Sequence, residues 1–310
     1  MTPIIEVNKV SYFYGTKRAL DNISFSLERG EFFCFLGPNG AGKSTTVKIL
    51  TGQLPLQKGE VVIKGYAVNR TNLRAIKYHV GVLTDNMSLP KELTVQELLY
   101  FTGRAFDFSS PQATAKSQDV LSEIQLDEYT SVKIGHLSSG LLRRLEIGQA
   151  LMNDPEILFL DEPTIFLDPL STHEILGLIQ KLHDKGTTIF YTTHLLKEVE
   201  HICTYLAIIK DGKILLCDKV AHLKERDGYR IDITMKSDDI LRASSLFRQH
   251  HWETIVKQNI ISISVPRDVE VESLLPTVTN ILNQNRLNYS DLAIKRVSLD
   301  QIYADIVTRS

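Results

Sequence analysis

The segment Glu31-Phe32-Phe33-Cys34-Phe35-Leu36 is an apolar run that stops abruptly at Gly37-Pro38-Asn39-Gly40-Ala41-Gly42-Lys43-Ser44. The run has the length of a buried strand, and a helical pattern opens at Lys43 and continues to about Leu50. The loop matches G-x-x-x-x-G-K-[ST], and strand, glycine-rich loop and helix in that order commit this part of the chain to an α/β fold around a polyphosphate site. Glycines let the backbone curl until consecutive N–H groups point at phosphate oxygens. The helix that follows aims its positive end at the same anion. Lys43 has the reach for β- and γ-phosphates, and the Ser44 hydroxyl is a ligand for Mg²⁺. Pro38, Asn39, Ala41 and Thr45 complete the candidate loop.

Downstream, Ile157-Leu158-Phe159-Leu160 reads as a buried strand that ends in Asp161-Glu162. An Asp at the carboxyl end of a strand beside a phosphate loop can hold Mg²⁺, directly or through water. Glu162 then points to where an attacking water sits and is the candidate general base. Alone, an acidic pair at a strand end is more often a solvated turn, and the phosphate loop reverses that preference. Strands at 156–160 and 187–191, with a helical stretch at 171–183 between them, form a βαβ unit and imply a parallel sheet.

Other strands are expected at 4–10, 23–27, 60–64, 79–84 and 204–210, with a turn at Asp21-Asn22 and a hairpin at Asp211-Gly212. Residues 91–136 read as largely helical, with Pro90 and Pro111 as breakers. The character changes after Asp227-Gly228. Strands at 229–235 and 260–265 and helices at 238–250, 269–284 and 299–308 suggest a small α+β domain over 227–310. It follows an α/β domain over 1–226, through the charged segment Lys219–Asp227.

Composition excludes several classes. A net charge of −2 in 310 residues gives no electrostatic footprint for nucleic acid, so none is expected as a partner. Three scattered cysteines, Cys34, Cys203 and Cys217, suit reduced thiols better than a disulfide scaffold or zinc site. No apolar run approaches the roughly 20 residues that span a bilayer, and no secretory signal is visible at the N-terminus.

Leu137-Ser138-Ser139-Gly140-Leu141, between the loop and the acidic pair, is similar to the L-S-G-G-Q signature of ABC ATPases. With it, residues 4–217 resemble the nucleotide-binding subunit of ABC transporters. The resemblance implies a P-loop ABC-type fold with an inserted helical subdomain at about 91–136, and a head-to-tail dimer with two ATP molecules at its interface. It makes Tyr14 the aromatic that stacks on adenine and His194 the switch histidine at the γ-phosphate. Gly37, Gly40, Gly42, Lys43, Ser44 and Thr45 of one subunit then face Ser138 and Gly140 of the other. Asp168 ends the loop that crosses the interface. Asp85 occupies the place of the usual glutamine near the metal, alongside Ser44 and Asp161. Glu162, His194 and Lys43 are the catalytic candidates, with ATP and Mg²⁺ as the implied cofactors.

The same resemblance implies a separate membrane-spanning permease as partner, and a cytoplasmic chain held at the inner face of the membrane through it. Leu89, Leu93, Leu98, Leu99, Tyr100 and Phe101 are candidates to line the permease groove, or else ordinary subdomain core. The C-terminal layout, including Ser298–Tyr303, is similar to ATPases of drug and antibiotic exporters. The sequence also departs from the pattern at Ser139, Leu141, Phe166 and Asp85, which keeps open a weakly active regulatory subunit. A soluble ABC ATPase acting on a ribosome or on DNA is the other alternative. One phosphate loop and no sustained heptads weigh against it.

Overall fold

The computed structural model describes residues 3–84, 88–226, 229–250, 252–265, 271–296, 299, 302–303 and 306. The chain divides into two compact units, residues 1–218 and 219–310.

The first unit opens with a hairpin of β1 (Ile5–Tyr14) and β2 (Lys17–Leu27). Its turn lies at Gly15-Thr16. The expected turn at Asp21-Asn22 is absent: both residues lie inside β2, where Asn22 at φ +54° absorbs an irregularity in the register. Then follow β3 (Phe32–Leu36), α1 (Lys43–Leu50), β4 (Lys58–Ile63), the short β5 (Tyr66–Ala67), α2 (Leu73–Lys77) and β6 (Val80–Leu83). The helical insert holds α3 (Val95–Ala105) and α4 (Ser110–Glu123). After it come α5 (Ser139–Leu151), β7 (Ile157–Asp161), α6 (Pro169–Asp184), β8 (Thr188–Thr193), α7 (Leu196–Val199), β9 (Tyr205–Lys210) and β10 (Lys213–Lys219). As expected, Asp211 and Gly212, both at positive φ, turn β9 into β10.

Two sheets result, an antiparallel β2-β1-β4-β5 and a larger β10-β9-β3-β8-β7-β6. In the larger sheet β9, β3, β8, β7 and β6 run parallel, with the β7–α6–β8 crossover between adjacent strands. Parallel strands covered on both faces read as near-continuous apolar runs, and β3, β7 and β8 are buried at every position, Asp161 and the threonines of β8 included. Alternate residues Phe33, Phe35, Phe159 and Phe190 share a core with Ile5, Leu20 and Phe25 of the antiparallel sheet and with Val47 of α1. Each such side chain contributes about 1.5–3 kcal/mol by leaving water. That packing holds α1, and so the phosphate loop, rigidly against the strand ends.

The insert is closed at its base. Leu93 and Lys91 accept backbone bonds from Ile134 and Gly135 at 2.9 and 3.1 Å. Thr94 and Glu97 form a reciprocal capping box at the start of α3. Pro111 does not break a helix. It lies in the first turn of α4 behind the Ser109 cap, where a missing N–H costs nothing. Leu98 and Leu99 face the subdomain core, whereas Phe101 is exposed.

In the second unit the charged segment read as a linker contains a helix, α8 (Val220–Arg226). It precedes β11 (Tyr229–Met235), α9 (Ser237–Gln249), β12 (Thr254–Lys257), β13 (Ile260–Ser264), α10 (Val271–Gln284) and β14 (Tyr289–Arg296). The order β12-β13-β11-β14, antiparallel throughout, is that of a split βαββαβ motif. Ile231, Ile233, Ile261 and Ile263 bury one face against Phe247 and Val278 of the helices. Among the described residues no helix is long and apolar enough to cross a membrane.

Candidate active site

Three adjacent strands, β3, β8 and β7, end side by side and deliver the candidate residues. The register pairs Leu36 with Thr193 and Asp161 with Thr192. Gly37 N–H then bonds Thr193 O at 3.2 Å, which fixes the start of the phosphate loop to the end of β8. Gly42 caps α1 at φ +113°, and a Cβ there would lie 2.6 Å from Leu20 Cδ2 and 2.8 Å from Ala19 O. Only glycine meets both demands.

Lys43 is buried to 5% exposure. Its ammonium donates to Gly37 O at 2.8 Å and Pro38 O at 3.2 Å and pairs with Glu162 Oε1 at 3.0 Å. Glu162 Oε2 lies 2.8 Å from His194 Nδ1. Lysine, glutamate and histidine thus form one continuous chain. Glu162 itself stands at φ +50°, a left-handed conformation that costs a non-glycine residue about 1–3 kcal/mol. It is held there because its N–H bonds Thr192 O at 3.2 Å and Thr192 Oγ1 at 3.1 Å. The Thr192 hydroxyl in turn donates to Asp161 Oδ1 at 2.6 Å.

A cleft of about 360 Å³ opens over this chain, lined by Tyr14, Lys17, Ala19, Asn39, Gly40, Gly42, Lys43, Ser44, Thr45, Glu162 and Ile165. Tyr14 is 46% exposed and meets Tyr12 edge to face, so its ring stands at the cleft wall available for stacking. Ala41 is buried beneath the loop, its N–H on Pro38 O. The Ser44 hydroxyl and the buried Asp161 carboxylate supply hard oxygen donors, a set suited to Mg²⁺ that keeps waters and phosphate oxygens as its other ligands. Among the described residues there is no cluster of three or more His, Cys, Asp or Glu that makes a metal cage. Asp85 lies outside the described residues.

Ser138, Gly140 and Asp168 do not line this cleft. Ser138 caps α5, with Leu141 N–H on its hydroxyl at 3.4 Å. Asp168 caps α6, accepting from Leu170 N–H and Ser171 N–H at 3.0 Å and from Ser171 Oγ at 2.6 Å. The Ser171 hydroxyl and these amides hold the Asp168 carboxyl below its usual range. The two caps are neighbours, since a Cβ on Gly140 would lie 2.6 Å from Ser171 Oγ. Phe166, two residues before Asp168, stands 89% exposed at φ +64°.

Sequence reasoning missed Thr192, whose signal was a hydroxyl at the end of an apolar strand facing the acid strand. It also missed a second carboxylate, Glu198 of α7. Glu198 accepts from Thr164 Oγ1 at 2.8 Å to each oxygen, from Thr193 Oγ1 at 3.1 Å and from Tyr191 OH at 3.2 Å. Burial first, then the Glu198 charge, push the Tyr191 phenol well above its usual pKa and keep it a donor. Burial likewise pushes the Cys34 thiol up, so it is a packed side chain and no nucleophile.

A family model described as ABC transporter matches residues 20–165. The linearmycin resistance ATP-binding protein LnrL of Bacillus subtilis (strain 168) is 30% identical over 310 residues, covering 99% of each chain. The Nod factor export ATP-binding protein I of Paraburkholderia xenovorans (strain LB400) is 38% identical over 209 residues, 67% of this chain and 68% of that one. Among solved structures, the dimeric post-hydrolysis state of the ATP-binding cassette MJ0796 bound to ADP and Pi aligns with a TM-score of 0.63 and 26% identity. It covers 70% of this chain and 98% of that one.

Proposed function

The chain belongs to the ATP-binding proteins of ABC transporters, and from that premise we propose that it is the motor subunit of an exporter, driven by closure and reopening of an ATP-bridged dimer. It binds and hydrolyses ATP, and as an ABC ATP-binding subunit it works with transmembrane permease subunits and as a dimer. Export is the reading favoured by two relatives named for resistance and for export, one of them matched from end to end. The observation that carries the catalytic reading is the Lys43–Glu162–His194 chain beneath the cleft.

Each residue has a part in it. Tyr14 stacks on adenine, and the N–H groups of Gly37–Thr45 with the Lys43 ammonium cradle the β- and γ-phosphates. The γ-phosphate competes with Glu162 for Lys43, which frees the carboxylate to orient and deprotonate water while His194 donates to the phosphate. Ser44 and Asp161 are the oxygen donors for Mg²⁺, which supplies charge neutralisation for phosphoryl transfer. Ser138 and Gly140 of a second subunit, with Asp168 at the crossing loop, meet the γ-phosphate from the opposite side. Its loss on hydrolysis removes the charge-assisted bonds that bridge the dimer. Membrane attachment at the inner face then comes through the permease.

The test is to express tagged Glu162→Gln in native cells, add Mg²⁺-ATP and identify what is retained after detergent extraction of membranes. A multi-spanning membrane protein at near-equal stoichiometry is the expected result. Enrichment of ribosomes or nucleic acid without such a protein overturns the exporter reading.

A further inference from the structure

Beyond the residues that meet ATP, we propose that Glu198 is a positioning residue of the hydrolysis site, locking the two loops that carry Glu162 and His194 into one catalytic register. The proposal rests on the roles given above to those two residues. Thr164 lies two residues past Glu162, and Thr193 immediately precedes His194. Both hydroxyls end on the Glu198 carboxylate, Thr164 Oγ1 at 2.8 Å and Thr193 Oγ1 at 3.1 Å. The Thr193 hydroxyl donates to Glu198 Oε2 and at the same time accepts the Leu195 N–H at 2.9 Å, so the same side chain ties the backbone just past His194 to the carboxylate. Tyr191 OH adds a third donor from within β8 at 3.2 Å.

A glutamate in a four-residue helix ordinarily points to water. Glu198 instead turns inward onto three hydroxyls of side chains that are 7% exposed or less. Charge-assisted bonds of this kind are the stronger class and fix geometry. The demand for such a fixture comes from Glu162. A residue at φ +50° persists only where its surroundings over-determine it. Thr192 holds its N–H on one side, and the Glu198–Thr164 bonds hold the chain two residues later on the other. With Glu198 removed, the 162–164 segment and the Thr193–His194 segment lose their shared anchor. Displacement of a reacting group by about 1 Å costs roughly 10²-fold in rate.

The experiment compares full-length wild type, Glu198→Ala, Glu198→Gln, Thr164→Val and the Glu198→Ala/Thr164→Val double variant in steady-state ATPase and in binding of a non-hydrolysable ATP analogue. For Glu198→Ala, kcat is expected to fall roughly 10–100-fold while KM and analogue affinity stay within about threefold, because only the geometry of hydrolysis is lost. Glu198→Gln, which keeps the shape and an acceptor, should recover most of kcat. The double variant should be no slower than the worse single, as expected for residues acting through one bond. Wild-type kcat in Glu198→Ala, or additive losses in the double variant, overturns the proposal. Should Glu198→Ala not fold, Thr164→Val decides alone: lowered kcat at unchanged KM supports it, and unchanged kcat overturns it. Undiminished turnover in Glu162→Gln would instead sink the underlying assignment of the base, whatever Glu198 does.

Discussion

Glutamine at position 162 separates the charge of the proposed base from its shape. The Glu162 side chain is 9% exposed, with Oε1 at 3.0 Å from Lys43 and Oε2 at 2.8 Å from His194. Glutamine is isosteric, its carbonyl still accepts from Lys43, and its position barely changes. What disappears is basicity. A positioned general base is worth about 10²–10⁴-fold, or roughly 3–5 kcal/mol of barrier at 1.36 kcal/mol per decade. The second loss is charge. At 3.0 Å the ion pair carries a gross attraction of about 5–6 kcal/mol for an effective dielectric near 20, largely offset by desolvation of both partners. In the variant Lys43 keeps the Gly37 and Pro38 carbonyls but loses the Glu162 counter-charge at 5% exposure. The ligand-free variant should therefore melt below wild type. ATP, whose γ-phosphate replaces the missing charge, should bind as tightly or up to about 10-fold more tightly. Phosphate release at saturating Mg²⁺-ATP and thermal melts with and without ATP measure both effects. Turnover within tenfold of wild type would refute the base assignment, and weaker ATP binding would refute the competition for Lys43.

Two further substitutions probe features that the catalytic chain does not contain. Gly140→Ala puts a methyl 2.6 Å from Ser171 Oγ, which is already tied to Asp168 at 2.6 Å, so either that hydroxyl swings off Asp168 or the two helix caps separate. A stability loss of about 1–3 kcal/mol by denaturant titration and a lower ATPase rate are expected; an unchanged midpoint refutes the close approach. In the C-terminal unit, burial raises the Asp232 pKa, but the Ser262 hydroxyl and the Lys295 and Arg230 cations outweigh it and hold the carboxyl below its usual range. A depressed acid contributes stability above its unfolded pKa of about 3.9, and that stability is lost as pH falls through the lower folded value. Calorimetry should show Asp232→Asn melting below wild type at pH 7 by about 1–3 kcal/mol of stability, with the two converging only as pH falls below the depressed folded value of Asp232. A gap that persists in acid refutes the ion-pair account.

The parts of this site that a sequence reveals are those where local chemistry admits one solution. The Gly37–Ser44 loop, the apolar β7 ending in Asp161-Glu162 and the Asp211-Gly212 turn belong to that group, and each stands where expected. Asp21-Asn22 misled because asparagine tolerates a left-handed backbone equally well in a turn and in a strand irregularity, and pairing with β1 chose the latter. Pro111 misled because a proline near a helix start looks the same as one that stops a helix until the Ser109 cap is seen. Strand β14 escaped notice, its Tyr-Ser-Asp-Leu-Ala-Ile-Lys-Arg showing only weak alternation. Glu198 was invisible for a different reason. Its sequence context, Leu-Lys-Glu-Val-Glu, is that of a solvated helix face, and only tertiary placement brings Thr164, Tyr191 and Thr193 to it.

Strand order also sets when the site can first exist during synthesis. Both sheet neighbours of β3, namely β8 and β9, are encoded far downstream of it, and β8 is the strand that separates β3 from β7. The Phe32–Leu36 segment, apolar at every position, emerges from the ribosome with no strand to pair with. At about 5–20 residues per second, it waits many seconds before Thr188–Thr193 arrives. Chains that stop short of β8 carry the complete phosphate loop yet lack its support, the Thr192 anchor and His194. They are the species in which exposed apolar strand edges invite aggregation. A nascent chain of this protein therefore gains protection from its nucleotide only after β8 has inserted, and until then it depends on whatever shields the Phe-Phe-Cys-Phe-Leu strand.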